Sequence, residues 1–301
     1  MTHDATPDEL ESVRRVTIAG MAVNVALSAS KAAVGWFSGS HALIADSVHS
    51  VSDLVTDFAI LLGVRYWTAP ADSEHPYGHG KIQAVVAAAI AIALAAVAVG
   101  IGKSSAARLL DAASGGESDV PGMLAFWIAV FSIAAKEAVY RRTLAVAQRL
   151  RSSALEANAW HHRSDAISSM PVALALAVSY FVPSLSWADS AGALVVAVFI
   201  LNAAWGILRK AVEELTDAEM PGKSAEVAKI ALGVKGVESC HRVRTRRYGS
   251  VFQADLHIQV AGDLTVGEGH AIGHAVCDAV RSAGIGVVDT IVHVEPKRMS
   301  S

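Results

Sequence analysis

The sequence predicts an α-helical membrane protein with six transmembrane helices, followed by a small cytoplasmic α+β domain. The chain has 301 residues, of which 53% are hydrophobic and 18% are charged, whereas soluble domains carry about 25% charged residues. Long apolar stretches follow one another up to about residue 213, and after that the composition is mixed and charged. We therefore expect a transmembrane domain at residues 1–213 and a cytoplasmic domain at residues 214–301.

The longest uncharged stretch gives the clearest span. Ile82–Gly102 contains no charged residue, and a helix of this length is about 31 Å long, close to the ~30 Å hydrocarbon core of a bilayer. Five further spans are predicted at residues 14–37, 42–66, 121–145, 157–182 and 187–209.

Basic residues indicate the orientation of these spans. Arg14, Arg209 and the basic segment 141–151 fall on one side of the membrane if the six spans alternate. The positive-inside rule places that side in the cytoplasm. We expect a multi-pass protein of the inner (cytoplasmic) membrane with both termini in the cytoplasm. Lys31 and Arg108 lie toward the outer ends of their spans, and we expect each to snorkel to the interface.

The region after residue 213 has the pattern of a small two-layer domain. Apolar and polar residues alternate along 251–260, as in a strand with one buried face. Further strands are predicted at 239–247 and 287–295, and helices at 225–233 and 265–283. The predicted order is α-β-β-α-β.

Ionisable residues lie inside two of the predicted spans. An ionised aspartate at a helix centre costs roughly 2.5–3.5 kcal/mol even on the mildest scale, so several of them need partners or a function. Spacings of three or four residues place the members of each group on one helical face. The residues are Asp46, His49, Asp53 and Asp57 in the second span, and His161 and Asp165 in the fifth.

Both of these spans carry the same His-x-x-x-Asp pair. His49 with Asp53, and His161 with Asp165, would give four nitrogen and oxygen ligands if the helices face each other, the number that tetrahedral Zn²⁺ takes. The two carboxylates would balance the charge of the ion. The alternative is that these residues make helix-packing hydrogen bonds, the role that we assign to Asp46 and Asp57.

The loop after the second span contains three further candidate ligands within eight residues, Asp72, His75 and His79. A second metal site and a polar cytoplasmic turn are both open interpretations, because exposed ligands bind weakly unless they are preorganised.

The predicted cytoplasmic domain is rich in histidine. Strand residues two apart lie on one face, which places His293 beside Glu295. Metal binding is the preferred interpretation, and scattered surface histidines are the alternative. The candidates are His241, His257, His270, His274, His293 and Glu295.

Nearly the whole chain resembles the cation diffusion facilitator family, bacterial zinc and iron exporters that are related to mammalian zinc transporters. The resemblance rests on both His-x-x-x-Asp pairs, the α-β-β-α-β tail and the loop Pro70–Lys81, which reads Pro-Ala-Asp-Ser-Glu-His-Pro-Tyr-Gly-His-Gly-Lys. Some members have Asp where His49 stands, and Asp is commoner than Glu at the position of Glu295.

The resemblance implies a V- or Y-shaped homodimer with a metallochaperone-like cytoplasmic domain for regulation and dimerisation. It implies a transport site at His49, Asp53, His161 and Asp165, and a loop site at Asp72, His75 and His79. It also implies that Lys81 and Asp217 form a charged interlock at the membrane surface. A binuclear site at the dimer interface is mapped onto His241, His257, His270, His293 and Glu295.

The predicted function is efflux of a divalent metal cation, Zn²⁺ first, by alternating access in exchange for protons. Zn²⁺ is also expected at the regulatory sites. The alternatives are export of Fe²⁺, Cd²⁺, Co²⁺, Ni²⁺ or Mn²⁺, or a membrane-anchored metal sensor that does not transport. The sequence contains no P-loop, dinucleotide fingerprint or nucleophile–base arrangement, so we predict a secondary transporter and not an enzyme. With a net charge of -3, nucleic acid is not an expected partner.

Overall fold

The computed structural model describes residues 7–115, 120–150, 152–249 and 251–297. The chain forms two compact units. The first comprises residues 1–59 and 90–206, and the second comprises residues 60–89 and 207–301. The predicted boundary between residues 213 and 214 remains a prediction. The long helices are α1 (Pro7–Phe37), α2 (His41–Trp67), α3 (Ile82–Ala113), α4 (Met123–Leu150), α5 (Ser153–Ser168), α6 (Met170–Phe181) and α7 (Ala188–Leu215).

The helical part has the features of a membrane bundle. Within the described residues, five stretches are long and apolar enough to cross a membrane: Glu11–Phe37, Ile82–Ala113, Met123–Leu150, Asn158–Phe181 and Pro183–Leu215. The remaining long helix is α2, which has 27 residues and carries Asp46, Asp53 and Asp57. The predicted class, a helical membrane protein with a small α+β domain, is confirmed.

The predicted fifth span is interrupted. The regular helical hydrogen bonding is broken at Ser169, although the backbone of this residue keeps right-handed helical dihedrals. Residues 157–182 therefore comprise the end of α5 and the whole of α6, and Asn158–Phe181 still forms one apolar span. The cause is Pro171, which stands in the first turn of α6. Proline has no backbone N–H and its ring clashes with the carbonyl four residues earlier, here that of Ile167, which accepts the N–H of Ser169 instead.

A buried ion pair lies beside this interruption. Lys31 Nζ is 2.7 Å from Asp46 Oδ2, and both side chains are fully buried. The hydroxyl of Ser169 donates to Asp46 Oδ1 at 2.9 Å, and Lys31 donates to Ser169 Oγ at 3.3 Å. The expectation that Lys31 snorkels to the interface is therefore wrong, because Asp46 offers it a partner inside the bundle.

Small side chains allow the helices of the first unit to pack closely. A buried cluster there includes Ala42, Ala98 and Ala125. At Gly192, a Cβ atom would lie 2.6 Å from that of Ala175 and 3.3 Å from that of Ala42. Small residues are typical of contacts between membrane helices, where backbones approach each other closely.

The second unit contains the predicted α-β-β-α-β domain. Its elements are α8 (Lys223–Leu232), β1 (Ser239–Tyr248), β2 (Val251–Val260), α9 (Val266–Ser282) and β3 (Val287–Pro296). The strand order is β1-β2-β3, with β1 and β2 antiparallel and β2 and β3 parallel.

The alternation along β2 decides which face of the sheet is covered. Leu256 and Ile258 are buried in the core with Val227 of α8 and Val276 of α9. The polar residues of β2, which include His257, lie on the opposite face.

The Lys31–Asp46 pair gives a stability prediction. Lys31→Met should lower the free energy of unfolding by about 3–5 kcal/mol, because it leaves a buried carboxylate without its partner. The double variant Lys31→Met/Asp46→Leu should recover most of this loss. Melting temperatures in detergent are the measurement, with Lys103→Met, at an exposed position on α3, as the control. An Lys31→Met protein as stable as the Lys103→Met protein would contradict the prediction.

Candidate metal sites

Three of the four predicted transport-site ligands converge in the first unit. One ligand atom from each of Asp53, His161 and Asp165 lies within 4.8 Å of the other two. Asp53 belongs to α2, and the other two belong to α5. His161 Nε2 is 3.8 Å from Asp165 Oδ2, with the Asp165 side chain 7% exposed and that of His161 51% exposed. The group therefore has a buried end at Asp165 and an exposed end at His161.

Asp165 has an unused acceptor. Its Oδ2 atom is buried and has no hydrogen-bond partner among the described residues. A buried carboxylate oxygen without a donor is costly unless a cation satisfies it. Two carboxylates and an imidazole within reach of one point are ligand types that Zn²⁺ and other divalent metals accept.

His49 lies outside this three-residue group. It precedes Asp53 by one helical turn and is close enough to interact with it electrostatically. Its Nδ1 atom is buried and makes no hydrogen bond within the part of the chain that the structure describes. The role of His49 as the fourth ligand remains a prediction.

Lys136 of α4 also reaches this site, and the sequence analysis did not include it. Its Nζ atom is 3.9 Å from Asp165 Oδ2, and its side chain is 2% exposed. The available signal was a lysine in the middle of the predicted span 121–145, where a charged residue is costly.

The loop candidates also lie together, in the second unit. Ligand atoms of Asp72, His75 and His79 are within 4.8 Å of one another. Asp72 Oδ1 accepts the backbone N–H groups of His75 and Glu74 at 2.7 Å and 3.0 Å. Its Oδ2 is 3.4 Å from His79 Nε2. These contacts, first of all the N–H of His75, lower the pKa of the Asp72 carboxyl below its usual 3.8.

Contacts within the second unit hold this loop in place. The N–H of Gly80 donates to the hydroxyl of Tyr248 at 2.7 Å, and a Cβ atom on Gly80 would lie 2.5 Å from the Tyr248 ring. Lys81 pairs with Asp217 at 2.7 Å. The loop ligands are thus anchored on one side by the tip of the β1–β2 hairpin.

The third group lies on the open face of the sheet. His241, His257 and His293 face one another across β1, β2 and β3 in register. Glu295 Oε1 is 2.8 Å from His257 Nδ1 and 3.6 Å from His293 Nε2, and its Oε2 is 3.4 Å from His241 Nε2. The hydrogen bond with His257 is the main cause of the lowered pKa of Glu295.

His270 lies apart from this group. It is exposed on α9 with its ring 4.4 Å from that of His274. The face of α9 that carries Gly273 packs on Val294, across the sheet from the open histidine face. The structure therefore brings together four of the five residues predicted for the cytoplasmic site, and the role of His270 remains a prediction.

The protein consists of an apolar helical bundle and a small α+β domain, and carboxylates and an imidazole lie together inside the spans of the bundle. These features are typical of a multi-pass membrane protein that transports metal cations. Residues 17–216 match the cation efflux transmembrane domain, and residues 221–297 match the cytoplasmic domain of cation efflux proteins.

Known proteins agree with this class. Metal tolerance protein C1 of Arabidopsis thaliana is 34% identical, with 92% of this chain and 61% of the relative covered. An uncharacterised transporter of Methanocaldococcus jannaschii is 31% identical, with 95% of this chain and 99% of the relative covered. The manganese efflux system protein MneS of Bacillus subtilis is 26% identical, with 96% and 97% covered.

The chain belongs to the cation efflux, or cation diffusion facilitator, family. Its members are secondary transporters that export metal cations, and not enzymes. The chain spans 61% of the length of the plant relative. The predicted family, class of activity and multi-pass membrane location are confirmed.

The loop gives a pH prediction. Because its pKa is lowered below the usual 3.8, the Asp72 carboxylate is ionised throughout the range from about pH 5 to about pH 8. Its contribution to Zn²⁺ binding at the loop should therefore not change with pH over this range.

Isothermal titration between pH 5 and 8 checks this prediction, as the difference in bound Zn²⁺ between the wild-type protein and a His75→Ala/His79→Ala variant. Asp72→Asn should weaken loop binding by a similar factor at every pH in this range. An Asp72→Asn effect confined to acidic pH would contradict the assignment.

Proposed function

We propose that this protein exports Zn²⁺ from the cytoplasm, and that the cation binds to Asp53, His161 and Asp165. The observation that carries the proposal is the convergence of these three side chains from α2 and α5 at one place in the first unit, where Asp165 is buried, Asp53 is half-buried and His161 is exposed. Two carboxylates neutralise a divalent ion, which removes most of the electrostatic penalty of placing it inside the bundle.

The ligand types favour zinc over manganese. An imidazole nitrogen suits Zn²⁺, Co²⁺, Ni²⁺ and Fe²⁺, whereas Mn²⁺ prefers sites made of oxygen. His161 supplies one nitrogen, and His49, one turn from Asp53, would supply a second if it turns toward the ion. The relative MneS is named as a manganese efflux protein, so Mn²⁺ is the competitor that an assay must include.

We further propose alternating access around this site. The helix that carries His161 and Asp165 is interrupted at Ser169, one turn after Asp165. Interrupted helices next to a midmembrane site are a recurring feature of secondary transporters, in which one bundle rocks against another around a fixed site. The interruption gives α5 and α6 a place at which their angle can change.

Protons are the proposed counter-ion. Carboxylates must be ionised and imidazoles neutral to hold a metal ion, so protonation and metal binding exclude each other at the same ligands. We place both termini in the cytoplasm and take the exterior of the cell to be more acidic. The outward-facing site would then lose its metal ion and take up protons. The inner membrane is the location that this scheme requires.

The second unit is the proposed site of dimerisation and regulation. The match of residues 221–297 to a cytoplasmic domain of cation efflux proteins supports this role, as does the His241–His257–Glu295 group on the sheet face opposite the one on which α8 and α9 pack. Zn²⁺ held there, and by the loop, would favour one arrangement of the dimer, with a coupling that is typically 1–3 kcal/mol.

The same group supports a second candidate function, a membrane-anchored sensor that binds metal without moving it. This candidate requires metal binding at the cytoplasmic residues and none at Asp53 and Asp165. Binding measurements on the separate site variants distinguish the two functions.

The transport proposal predicts the effect of removing one carboxylate. Asp53→Asn and Asp165→Asn should each reduce Zn²⁺ uptake into proteoliposomes by at least about tenfold, which corresponds to 1.4 kcal/mol. Asp111→Asn, at an exposed position near the end of α3, is the matched control. An imposed pH gradient should accelerate flux in the wild type and in the control. Full flux through both carboxylate variants would end the proposal.

Metal selectivity is tested with the same vesicles. Competition among Zn²⁺, Cd²⁺, Fe²⁺, Co²⁺ and Mn²⁺ should give Zn²⁺ the highest ratio of maximal rate to KM. His161→Asp should move the preference toward Mn²⁺, because it replaces nitrogen by oxygen. A wild-type protein that prefers Mn²⁺ would refute zinc as the cargo while leaving the site itself intact.

A further inference from the structure

Lys136 occupies an unusual place for a charged residue. It lies in the middle of α4, which packs along α5, and its side chain is 2% exposed. Within the described residues its ion-pair partner is Asp165, a proposed ligand of the cargo. Asp53 is also within electrostatic reach of Lys136.

The other buried lysine shows what a structural ion pair looks like in this bundle. Lys31 is 2.7 Å from Asp46, and the Ser169 hydroxyl joins both of them. Lys136 is 3.9 Å from Asp165 Oδ2, which is beyond hydrogen-bond distance. The first pair is therefore a direct contact that the Ser169 hydroxyl also joins, whereas the second is a longer ion pair.

The charges of the site differ between its two states. With neutral imidazole, Asp53 and Asp165 carry a formal charge of about −2, and the Lys136 ammonium brings the empty site to about −1. A divalent cation then changes the total to about +1. Without Lys136 the corresponding totals are about −2 and about 0. Lys136 therefore stabilises the empty site and disfavours the loaded one.

We propose that Lys136 is an affinity-determining residue of the transport site. Its ammonium group pairs with Asp165 when the site is empty, and an incoming divalent ion must displace it. This proposal rests on the proposed transport site. Its chemistry suits a carrier, because a site that binds its cargo too tightly cannot release it. The flexible four-carbon stem of lysine allows the ammonium group to withdraw while it remains in the bundle.

Three substitutions separate charge from volume. Lys136→Met and Lys136→Gln should bind Zn²⁺ at least about tenfold more tightly, whereas Lys136→Arg, which keeps the positive charge, should show no gain in affinity. In flux assays the Met and Gln variants should show a lower KM together with a lower maximal rate, because tighter binding slows release. A residue with a purely structural role would lower the maximal rate without lowering KM.

Zn²⁺ affinity is measured by competition with a fluorescent chelator, on the full chain in detergent. The background carries His75→Ala, His79→Ala, His241→Ala and His257→Ala, so that the loop and the cytoplasmic group do not contribute. Lys31→Met in the same background is the matched control, because it removes a buried lysine whose partner is Asp46 and should give a clearly smaller gain.

Thermal unfolding shows whether each variant is folded and gives a second readout. Zn²⁺ should raise the melting temperature of Lys136→Met more than that of the parent protein, since the ion replaces the missing charge and binds more tightly. A Met variant that is less stable without metal and regains its stability with metal supports the proposal.

Asp165→Asn separates this proposal from the one on which it rests. If Asp165→Asn keeps full Zn²⁺ affinity, the transport site is wrongly placed. If Asp165→Asn loses binding while folded Lys136→Met and Lys136→Gln keep or lose affinity, only the role of Lys136 is overturned. Equal gains in Lys31→Met and Lys136→Met would also overturn it, because the effect would then not depend on the position next to Asp165.

Discussion

A carboxylate inside an apolar helical bundle must have a positive partner, and this constraint organises the membrane part of the protein. Asp46 satisfies it permanently through Lys31 at 2.7 Å. Among the residues that the structure describes, Asp53 and Asp165 have no such close pair: they lie with His161 around one point, with Lys136 at 3.9 Å from Asp165. The difference between the closed pair and the open group separates a structural contact from a site that is suited to an exchangeable cation.

Ser169 contacts both the buried ion pair and the helix that carries two of the proposed ligands. The interruption caused by Pro171 leaves this residue between α5 and α6, fully buried, and its single hydroxyl hydrogen is shared between two acceptors, Asp46 Oδ1 at 2.9 Å and the carbonyl oxygen of Asp165 at 3.2 Å. One side chain thus links the fixed ion pair, the helix that carries two proposed ligands, and the point at which that helix is divided. A change in the angle between α5 and α6 would be felt at the site through these contacts.

Much of this architecture follows from the sequence, because apolar length and periodicity determine spans and strands locally. The α-β-β-α-β order and the covered face of β2 could be predicted in this way, as could the helical faces that carry Asp53, His161 and Asp165. Partners on other helices could not, since periodicity defines a face but not what stands opposite it. The sequence therefore predicts Lys31 at the interface, and it gives no partner for Lys136. Pro171 indicated a bend, but its consequence, two helices with Ser169 between them, depended on the surrounding contacts.

The proposed transport mechanism requires that one cation binds to α2 and α5 at the same time. The most direct measurement is an experimental structure of the zinc-loaded protein with anomalous scattering recorded at the zinc edge. We expect a single peak inside the membrane bundle, with the nitrogen of His161 and oxygens of Asp53 and Asp165 about 2.0–2.2 Å from it. Anomalous peaks at the loop and at the three-stranded sheet, with none in the bundle, would contradict a transport site shared by α2 and α5.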